Sequence, residues 1–375
     1  MQQKTIGIVG GGQLGRMLAQ AAHILGFKVI VLDPTPGSPA GLVADGQIVG
    51  SFKDEAKILE LSKISDFITF ELEGVNDEIL EKIAKKKPVH PDPKVLRIIK
   101  DKFKQKVFLK DHKIKVADFT DIQNEKDCEK CGEVFGYPYL LKAKLDAYDG
   151  RGNYVVKNKK DIKNALVKFE GKALYAEKFV PFKKELSVVS ARDIFDTVVP
   201  YEVVETVHKN NICHIVRSPA SISNKTKEKA KNVAKKVLQS LGGVGVFAVE
   251  MFLTKKGEVL VNEIAPRVHN SGHHTIESYS ISQFEQHIRA ITGMSLSKPR
   301  PKSKSSVMIN ILGAREGKAE YRGGEKVEKL GGVAVHIYGK IETRKERKMG
   351  HLTVLGKSVK EAEKKAKKAH KYISI

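Results

Sequence analysis

Two glutamates in neighbouring apolar segments are the residues whose spacing most clearly suggests chemistry. Segments 244–253 and 258–264 flank a Thr-Lys-Lys-Gly turn, which predicts a β-hairpin with Glu250 on one strand and Asn262 and Glu263 on the other. Carboxylates on apolar strands repel each other unless a cation or protons neutralise them, and hard oxygen ligands suit Mg²⁺. A solvated hairpin without a ligand is the alternative, but the apolar neighbours favour a metal site.

Polar groups follow the hairpin at unusual density and could hold an anion: Arg267, His269, Asn270, Ser271, His273 and His274. Further upstream, Lys142 lies inside an apolar strand, where an ammonium group is costly without an anionic partner. The loop that follows, 146–153, contains Gly150 and Gly152 and predicts that phosphates are held between loop and lysine. An ordinary turn beside a snorkelling lysine is the alternative.

A strand, a break at Pro181 and a second strand suggest a hinge. Glu177 ends the first strand and Glu185 begins the next. Backbone groups between them could meet a planar base, because a strand edge offers a donor and an acceptor together. The residues concerned are Lys178, Phe179 and Val180.

The N-terminal segment combines a short apolar strand, the sequence GGGQLG and a helical pattern. It matches the dinucleotide fingerprint, with Asp33 at the spacing of a ribose-binding acid, and taken alone predicts an NAD enzyme. The motif by itself indicates only a phosphate site, because Gly12, Gln13 and Leu14 at a helix N-terminus could bind a phosphate that does not belong to NAD. Alternating strands and helices predict a doubly wound α/β domain. Glu71 and Glu73 end a later strand, at the edge where such sheets bind ligands.

Composition excludes several classes of protein. The net charge of +23 permits nucleic-acid binding, but the lysines are dispersed and no aromatic platform accompanies them, so small anionic substrates are favoured and no nucleic acid is expected. No apolar run is long enough to cross a bilayer and no signal-peptide pattern opens the chain, which predicts a cytoplasmic protein without membrane contact. Three cysteines are too few for a disulfide framework, and the Cys128–Cys131 pair is read as incidental.

Composition shifts divide the chain into three predicted domains. They are residues 1–93, residues 94–297 with a lid subdomain at about 115–180, and residues 298–375. A single helix is expected over 94–111. Cations crowd between the last two predicted strands, among them Lys340, Arg347 and Lys348.

Five motifs occur along the chain in this order: AYDGRG, AEKFVPFKKELS, VEMF, VNEIAPRVHNSGHHT and RKMGH. Together they resemble the N5-carboxyaminoimidazole ribonucleotide synthetase family of ATP-grasp enzymes. The resemblance covers nearly the whole chain. It implies an α/β and α+β protein: an ATP-grasp fold with an N-terminal Rossmann-like domain that does not bind NAD and a small C-terminal β-rich domain. It also implies ATP-dependent carboxylation of 5-aminoimidazole ribonucleotide by bicarbonate, through carboxyphosphate, in purine biosynthesis.

Site roles follow from the resemblance residue by residue. The implied ATP ligands are Lys102, Lys142, Gly150, Gly152, Glu177, Lys178, Phe179, Val180, Glu185, His208 and Asn262. The implied Mg²⁺ ligands are Glu250 and Glu263. The residues implied near the reacting groups are Tyr148, Asp149, Arg151, Arg267 and His273. Those implied to bind the nucleotide substrate are Gly12, Gln13, Leu14, Glu73, Asn270, Ser271, Lys340, Arg347 and Lys348. One departure is Lys102, where the family has arginine, because lysine keeps the charge but loses the planar fork.

The expected cofactors are ATP and two Mg²⁺ ions, the expected partners are the two small substrates, and a homodimer is expected from the resemblance. Other ATP-grasp enzymes, namely a formate-dependent glycinamide ribonucleotide transformylase or a biotin carboxylase, are the nearer alternatives. An NAD-dependent oxidoreductase would explain GGGQLG but not Glu250 and Glu263.

Overall fold

The computed structural model describes residues 3–146 and 152–375. Its N-terminal region is a parallel four-stranded sheet of order β3-β2-β1-β4, as the alternating apolar segments predicted. The elements are β1 (Thr5–Val9), α1 (Gln13–Ile24), β2 (Lys28–Asp33), β3 (Gly46–Val49), α2 (Glu55–Lys63), β4 (Phe67–Phe70) and α3 (Asp77–Ala84). Apolar side chains of α1 pack on one face of this sheet and those of α2 and α3 on the other, which makes the region doubly wound.

Two helices connect this sheet to a small antiparallel one of order β5-β8-β6-β7. The elements are α4 (Pro93–Lys100), α5 (Lys102–Asp111), β5 (Phe119–Ile122), α6 (Glu125–Phe135), β6 (Tyr139–Ala143), β7 (Asn153–Val156), α7 (Asp161–Lys168) and β8 (Leu174–Lys178). The single helix expected over 94–111 is wrong. The chain bends at Asp101, whose carboxylate accepts hydrogen bonds from the N–H groups of Phe103 and Lys104, both at 3.0 Å, and so begins a second helix.

A large antiparallel sheet forms most of the rest of the molecule, with strand order β14-β13-β9-β11-β12-β15-β19-β17 and β10 paired to β9. Its strands are β9 (Phe182–Arg192), β10 (Val198–Pro200), β11 (Val204–Lys209), β12 (Ile212–Ser218), β13 (Gly245–Thr254), β14 (Val259–Ala265), β15 (Ser305–Leu312), β17 (Ala334–Ile337) and β19 (Lys348–Gly356). A separate two-stranded sheet pairs β16 (Gly317–Lys318) with β18 (Glu342–Thr343). The helical elements are α8 (Asn224–Leu241), the 3₁₀ turn Asn270–Gly272, α9 (Thr275–Ser278), α10 (Gln283–Ile291), α11 (Gly324–Glu328) and α12 (Val359–His370).

The large sheet joins the middle and the C-terminal parts of the chain. Strand β15 pairs antiparallel with β12 over Ile215–Ser218 and Ser306–Ile309, so hydrogen bonds run without interruption from β14 to β17. The C-terminal cations are therefore held by the same sheet that holds the predicted metal-binding glutamates. None of the helices within the described ranges is long and apolar enough to cross a membrane.

His287, fully buried on α10, connects the N-terminal sheet to the large sheet. The Val246 N–H donates to His287 Nδ1 at 3.0 Å, so Nε2 carries the proton and donates to Thr69 Oγ1 at 2.8 Å. Burial lowers the pKa of this imidazole to about 3, which keeps it neutral. One side chain thus satisfies polar groups on β13 and β4 and fixes the two sheets relative to each other.

We expect His287→Ala to lower the free energy of unfolding by about 3 kcal/mol, because it removes packed volume and leaves the buried Val246 N–H without an acceptor. Urea denaturation followed by circular dichroism measures this. His112→Ala, at an exposed position on the end of α5, is the matched control. Equal denaturation midpoints for the two variants would show that His287 does not couple the sheets.

Candidate active site

Strand register places the glutamates on one face of the large sheet. Glu250 on β13 lies opposite Glu263 on β14, and Ala248 lies opposite Ala265. Both alanines are buried in the core beneath α10, and side chains two positions apart on a strand share a face. The face that α10 covers therefore continues, one step along each strand, as a surface bearing two carboxylates, as the hairpin pattern predicted.

The two carboxylates are close enough to affect each other's charge. Burial, and then repulsion from Glu263, raises the pKa of Glu250 to about 7. Glu263 Oε1 lies 2.5 Å from the ammonium nitrogen of Lys102, and Glu250 Oε1 lies 3.6 Å from His269 Nε2. A break in register after Glu250 leaves Asn262 as the extra residue of a β-bulge between the pairs. The site has more negative charge than its direct partner cations neutralise.

This donor set fits Mg²⁺ bound together with a nucleotide. Within residues 3–146 and 152–375 no group of three or more acidic, histidine or cysteine side chains could enclose a metal ion. Mg²⁺ commonly takes one or two protein carboxylates and fills its remaining positions with phosphate oxygens and water. The raised pKa of Glu250 is the observation that supports the fit, because a bound cation would relieve the repulsion that causes part of it.

Two lysines share a buried carboxylate beside the metal site. Glu177, at the end of β8, accepts from Lys142 at 3.0 Å and from Lys106 at 3.2 Å. Burial alone would raise the pKa of Glu177, but the two ammonium groups outweigh it and hold the pKa below its usual range. The sequence predicted roles for Lys142 and Glu177 and placed Lys106 on the helix beside Lys102 without a role; Lys106 is 1% exposed. Its spacing of four residues from Lys102 on one helix was the available signal.

The predicted hinge lies between β8 and β9. Phe182 and Phe252 stack with ring centroids 4.8 Å apart beside it, and Phe179 is exposed. The Lys178 N–H already donates to the Asp118 carbonyl at 2.8 Å, so this N–H is not available to a base. Contact between this segment and a base stays a prediction.

Glu185 and His208 form a hydrogen-bonded pair on β9 and β11. Burial opposes protonation of His208, but the hydrogen bond and the charge of Glu185 outweigh it, so the pKa of the imidazole is raised. His208 therefore carries positive charge at a higher pH than an isolated histidine, which suits a position near a nucleotide. Their roles toward ATP stay predictions.

Arg267 and Glu73 form an ion pair of 3.0 Å between the segment after β14 and the segment after β4. Burial would raise the pKa of Glu73, and Arg267 with Lys102 reverses this and lowers it. The Arg267 Nε atom is buried without a hydrogen-bond partner within the described structure. The pair lies beside the carboxylate face, because the charge of Glu263 also acts on Arg267 and helps to raise the pKa of its guanidinium.

The polar segment after Arg267 is mostly packed inward. Asn270 exchanges two side-chain hydrogen bonds with Asn310 on β15, of 2.9 and 2.6 Å, and Ser271 Oγ lies 2.8 Å from Ser187 Oγ. His273 is 1% exposed, and its ring packs against His351 with centroids 4.8 Å apart. These residues support the cleft in the structure, and their direct contact with substrates stays a prediction.

The C-terminal cations lie together, as predicted. Lys340 donates to the Lys348 carbonyl at 2.7 Å and Arg347 to the Glu342 carbonyl at 2.7 Å. Within the described ranges neither Lys340 nor Arg347 has a carboxylate at ion-pair distance. Burial, followed by repulsion from Arg347, lowers the pKa of Lys340 to about 8. The cluster can accept an anion that neutralises it.

The structure argues against the dinucleotide hypothesis at Asp33. One carboxylate oxygen accepts from the Gly11 N–H and the other from the Thr35 N–H, both at 2.8 Å. Asp33 is 7% exposed, so its acceptor capacity is used inside the protein rather than offered to a ribose. Gly12 precedes α1, and Gln13 and Leu14 begin it, as expected.

The remaining predicted residues lie in the loop between β6 and β7. Tyr148, Asp149, Gly150 and Arg151 fall outside the described residues, so their predicted roles are neither supported nor opposed. Gly152 is described, and its carbonyl accepts from the Ala143 N–H at 2.9 Å, which closes the β6–β7 hairpin.

Three protein-family models match the chain: a ribonucleotide synthetase preATP-grasp domain at residues 3–100, an ATP-grasp domain at 107–284 and a phosphoribosylaminoimidazole carboxylase C-terminal domain at 306–365. They confirm the predicted fold class. The phosphoribosylaminoimidazole carboxylase of Schizosaccharomyces pombe is 42% identical over 97% of the chain, which spans 67% of that relative's length.

Solved structures agree along the whole chain. The N5-carboxyaminoimidazole ribonucleotide synthetase of Thermotoga maritima is 44% identical with a TM-score of 0.90, covering 99% of both chains. The N5-carboxyaminoimidazole synthase of Aspergillus clavatus, solved with ADP and 5-aminoimidazole ribonucleotide, is 35% identical with a TM-score of 0.90, covering 98% of both chains. The chain therefore belongs to the N5-carboxyaminoimidazole ribonucleotide synthetase family of ATP-grasp ligases.

Proposed function

We propose that this protein uses ATP to join bicarbonate to the amine of 5-aminoimidazole ribonucleotide, giving the N5-carboxy product, ADP and phosphate. The observation that carries the proposal is an arrangement of charges: one continuous sheet carries the carboxylate face and the C-terminal cations. The buried Lys106–Glu177–Lys142 cluster, on α5 and the small sheet, meets that sheet where Lys106 donates to the Val261 carbonyl at 3.3 Å. Family membership along the whole chain supports the choice of substrates.

The reaction needs ATP because bicarbonate does not react with a weakly nucleophilic aromatic amine. A bicarbonate oxygen attacks the γ-phosphorus and displaces ADP, which forms carboxyphosphate. The amine nitrogen then attacks the carboxyl carbon, phosphate leaves, and the nitrogen loses a proton. Phosphoryl transfer of this kind depends mainly on positioning and charge neutralisation. In the proposal, Lys142 and Arg267 neutralise charge on the transferring group and on the carboxyphosphate.

Glu250 and Glu263 would hold the metal, two Mg²⁺ ions in the proposal, which would screen charge on the β- and γ-phosphates. Lys102, now paired with Glu263, would shift its contact toward phosphate oxygens when the carboxylate binds metal. Carboxyphosphate hydrolyses readily, so water must be excluded, and loop 147–153 is the proposed cover. A homodimer and a cytoplasmic location complete the proposal and rest on the family resemblance and on the chain's soluble-protein composition.

ADP release tests the proposed substrates directly. We expect rapid release only when 5-aminoimidazole ribonucleotide and bicarbonate are both present, because the cleft must bind both before carboxyphosphate can be consumed. Glycinamide ribonucleotide with formate is the competing pair. Faster ADP release with the competing pair would assign the chain to the transformylase reaction instead, and NAD binding detected by fluorescence would revive the oxidoreductase hypothesis.

Glu263→Gln should reduce ATP turnover by about 100-fold or more, because the amide removes the charge that holds the metal. The measurement is steady-state ADP release, with Mn²⁺ binding followed by electron paramagnetic resonance as a second readout. Glu258→Gln is the matched control, since Glu258 begins the same hairpin arm but pairs with Lys115 at 2.8 Å, away from the cleft. Near-normal turnover and Mn²⁺ binding in Glu263→Gln would remove Glu263 from the metal site.

The KM for 5-aminoimidazole ribonucleotide should rise as pH increases through about 8, because Lys340 loses the proton that makes it a cation and a phosphate donor. The KM for ATP, measured in the same buffers, is the internal control. Lys340→Arg should flatten the profile, since a guanidinium stays charged over this range. A wild-type profile as flat as that of Lys340→Arg would argue against Lys340 as a phosphate ligand.

A further inference from the structure

Glu71 occupies the position where the dinucleotide fingerprint would place a phosphate. Its carboxylate follows β4 and lies at the N-terminus of α1, where one oxygen accepts from the Gly12 N–H and the other from the Gly15 N–H at 2.6 Å. A helix N-terminus attracts anions through its unpaired N–H groups and its dipole. Here the anion is supplied by the protein itself.

The glycines of the GGGQLG turn make room for this carboxylate. A Cβ atom on Gly10 would lie 2.4 Å from Glu71 Cγ, and a Cβ atom on Gly12 would lie 2.5 Å from Glu71 Oε1. Gly10 also has a φ of +110°, which side-chain-bearing residues rarely adopt. The same glycine spacing that admits a dinucleotide pyrophosphate in other proteins here admits an internal side chain.

Two amides between the clamped pair remain for a ligand. Within the described structure the N–H groups of Gln13 and Leu14 have no protein acceptor, whereas those of Gly12 and Gly15 on either side are taken by Glu71. We propose that Glu71 is a positioning and specificity-determining residue: it fixes the GGGQLG turn so that two amides are left for the single phosphate of the nucleotide substrate, and it excludes a second phosphate. The substrate part of this inference rests on the proposed function.

Glu71 also connects the turn to the C-terminal cations. It is the one acidic group among the main charges acting on Lys340, and its field favours the ammonium form against burial and against Arg347, Lys348 and Arg344. Burial, helped by repulsion from Asp33, raises the pKa of Glu71 overall, although its hydrogen bonds from Gly15 and Gly12 oppose the rise. Both carboxylate oxygens accept hydrogen bonds, an arrangement that suits the ionised form.

Glu71→Gln tests the positioning role, because its NH₂ group must face one of the two backbone N–H groups. We expect the KM for 5-aminoimidazole ribonucleotide to rise by about 10-fold or more, the loss of roughly one hydrogen bond to a charged group, with the KM for ATP changed less than 2-fold. The rise in KM with pH should also begin at a lower pH than in the wild type, since Lys340 loses its acidic neighbour. Glu55→Gln, a surface carboxylate of the same domain, is the control. An unchanged KM, or equal increases for both substrates, would overturn the role.

A binding experiment separates this inference from the proposed function. Thermal unfolding of wild type and Glu71→Ala is measured with inorganic phosphate and with inorganic pyrophosphate, without any nucleotide. The preference for pyrophosphate over phosphate in apparent affinity should be about 10-fold greater in Glu71→Ala than in the wild type, because both proteins keep the predicted ATP-phosphate site and only the variant also has an open N-terminus at α1. Equal responses of the two proteins would overturn the exclusion of a second phosphate, even if the wild type carboxylates its substrate as proposed.

Discussion

The repulsion between Glu250 and Glu263 is the interaction on which the site depends. Antiparallel register holds the two carboxylates opposite each other on a partly buried face. Burial, and then repulsion from Glu263, raises the pKa of Glu250 to about 7. Such an arrangement costs folding free energy unless cations approach it. Lys102 neutralises part of it in the ligand-free chain. The remaining negative charge would attract a metal ion, and in the proposed function the metal ion would in turn bind the nucleotide phosphates.

The sheets around the Glu250–Glu263 pair hold positively charged side chains at fixed positions relative to it. The same sheet that carries the glutamates extends through β15 to β19, so the cations at Lys340 and Arg347 are fixed relative to the metal site. The Arg267–Glu73 ion pair and His287 fix the N-terminal sheet on the other side. The carboxylates lie on β13 and β14 and the cations beside β18 and β19; in the proposed function the carboxylates would face ATP with its metal and the cations the substrate phosphate. This separation lets two anionic substrates approach each other without their charges being left unbalanced.

Local sequence signals predicted the elements but not the pairings between distant residues. Alternation and the Thr-Lys-Lys-Gly turn were enough to predict a hairpin with Glu250 on one strand and Asn262 and Glu263 on the other. The pairing of Glu250 with Glu263 depends on the β-bulge at Asn262, which the turn does not encode. The bend at Asp101 had a local signal too, a helix-capping residue that the apolar periodicity of 94–111 concealed. In contrast, three contacts join residues that are 40 to 71 positions apart in the sequence. They are Glu71 with Gly15 of α1, Lys106 with Glu177, and Asn270 with Asn310. Their partners are decided by how the sheets pack, which no periodicity encodes.

The dinucleotide fingerprint illustrates the same limit. The glycines correctly predicted a tight strand-to-helix turn, but the anion that they admit could be identified only once Glu71 and Asp33 were seen to accept from the turn's own amides. Family resemblance had already argued against NAD, and the structure supplies the physical reason. Residues 147–151 lie outside the described residues, so the proposal that loop 147–153 covers the reacting groups rests on the sequence.

The central claim, that Glu250 and Glu263 together bind metal and nucleotide, is tested most directly by Mn²⁺ binding followed by electron paramagnetic resonance with and without ADP. We predict that Mn²⁺ binds weakly to the wild-type chain alone and at least about 10-fold more tightly with ADP, because phosphate oxygens complete the ligand set. The Glu250→Gln/Glu263→Gln double variant should lose this gain in Mn²⁺ affinity. The same ADP-dependent Mn²⁺ affinity in the double variant would contradict it.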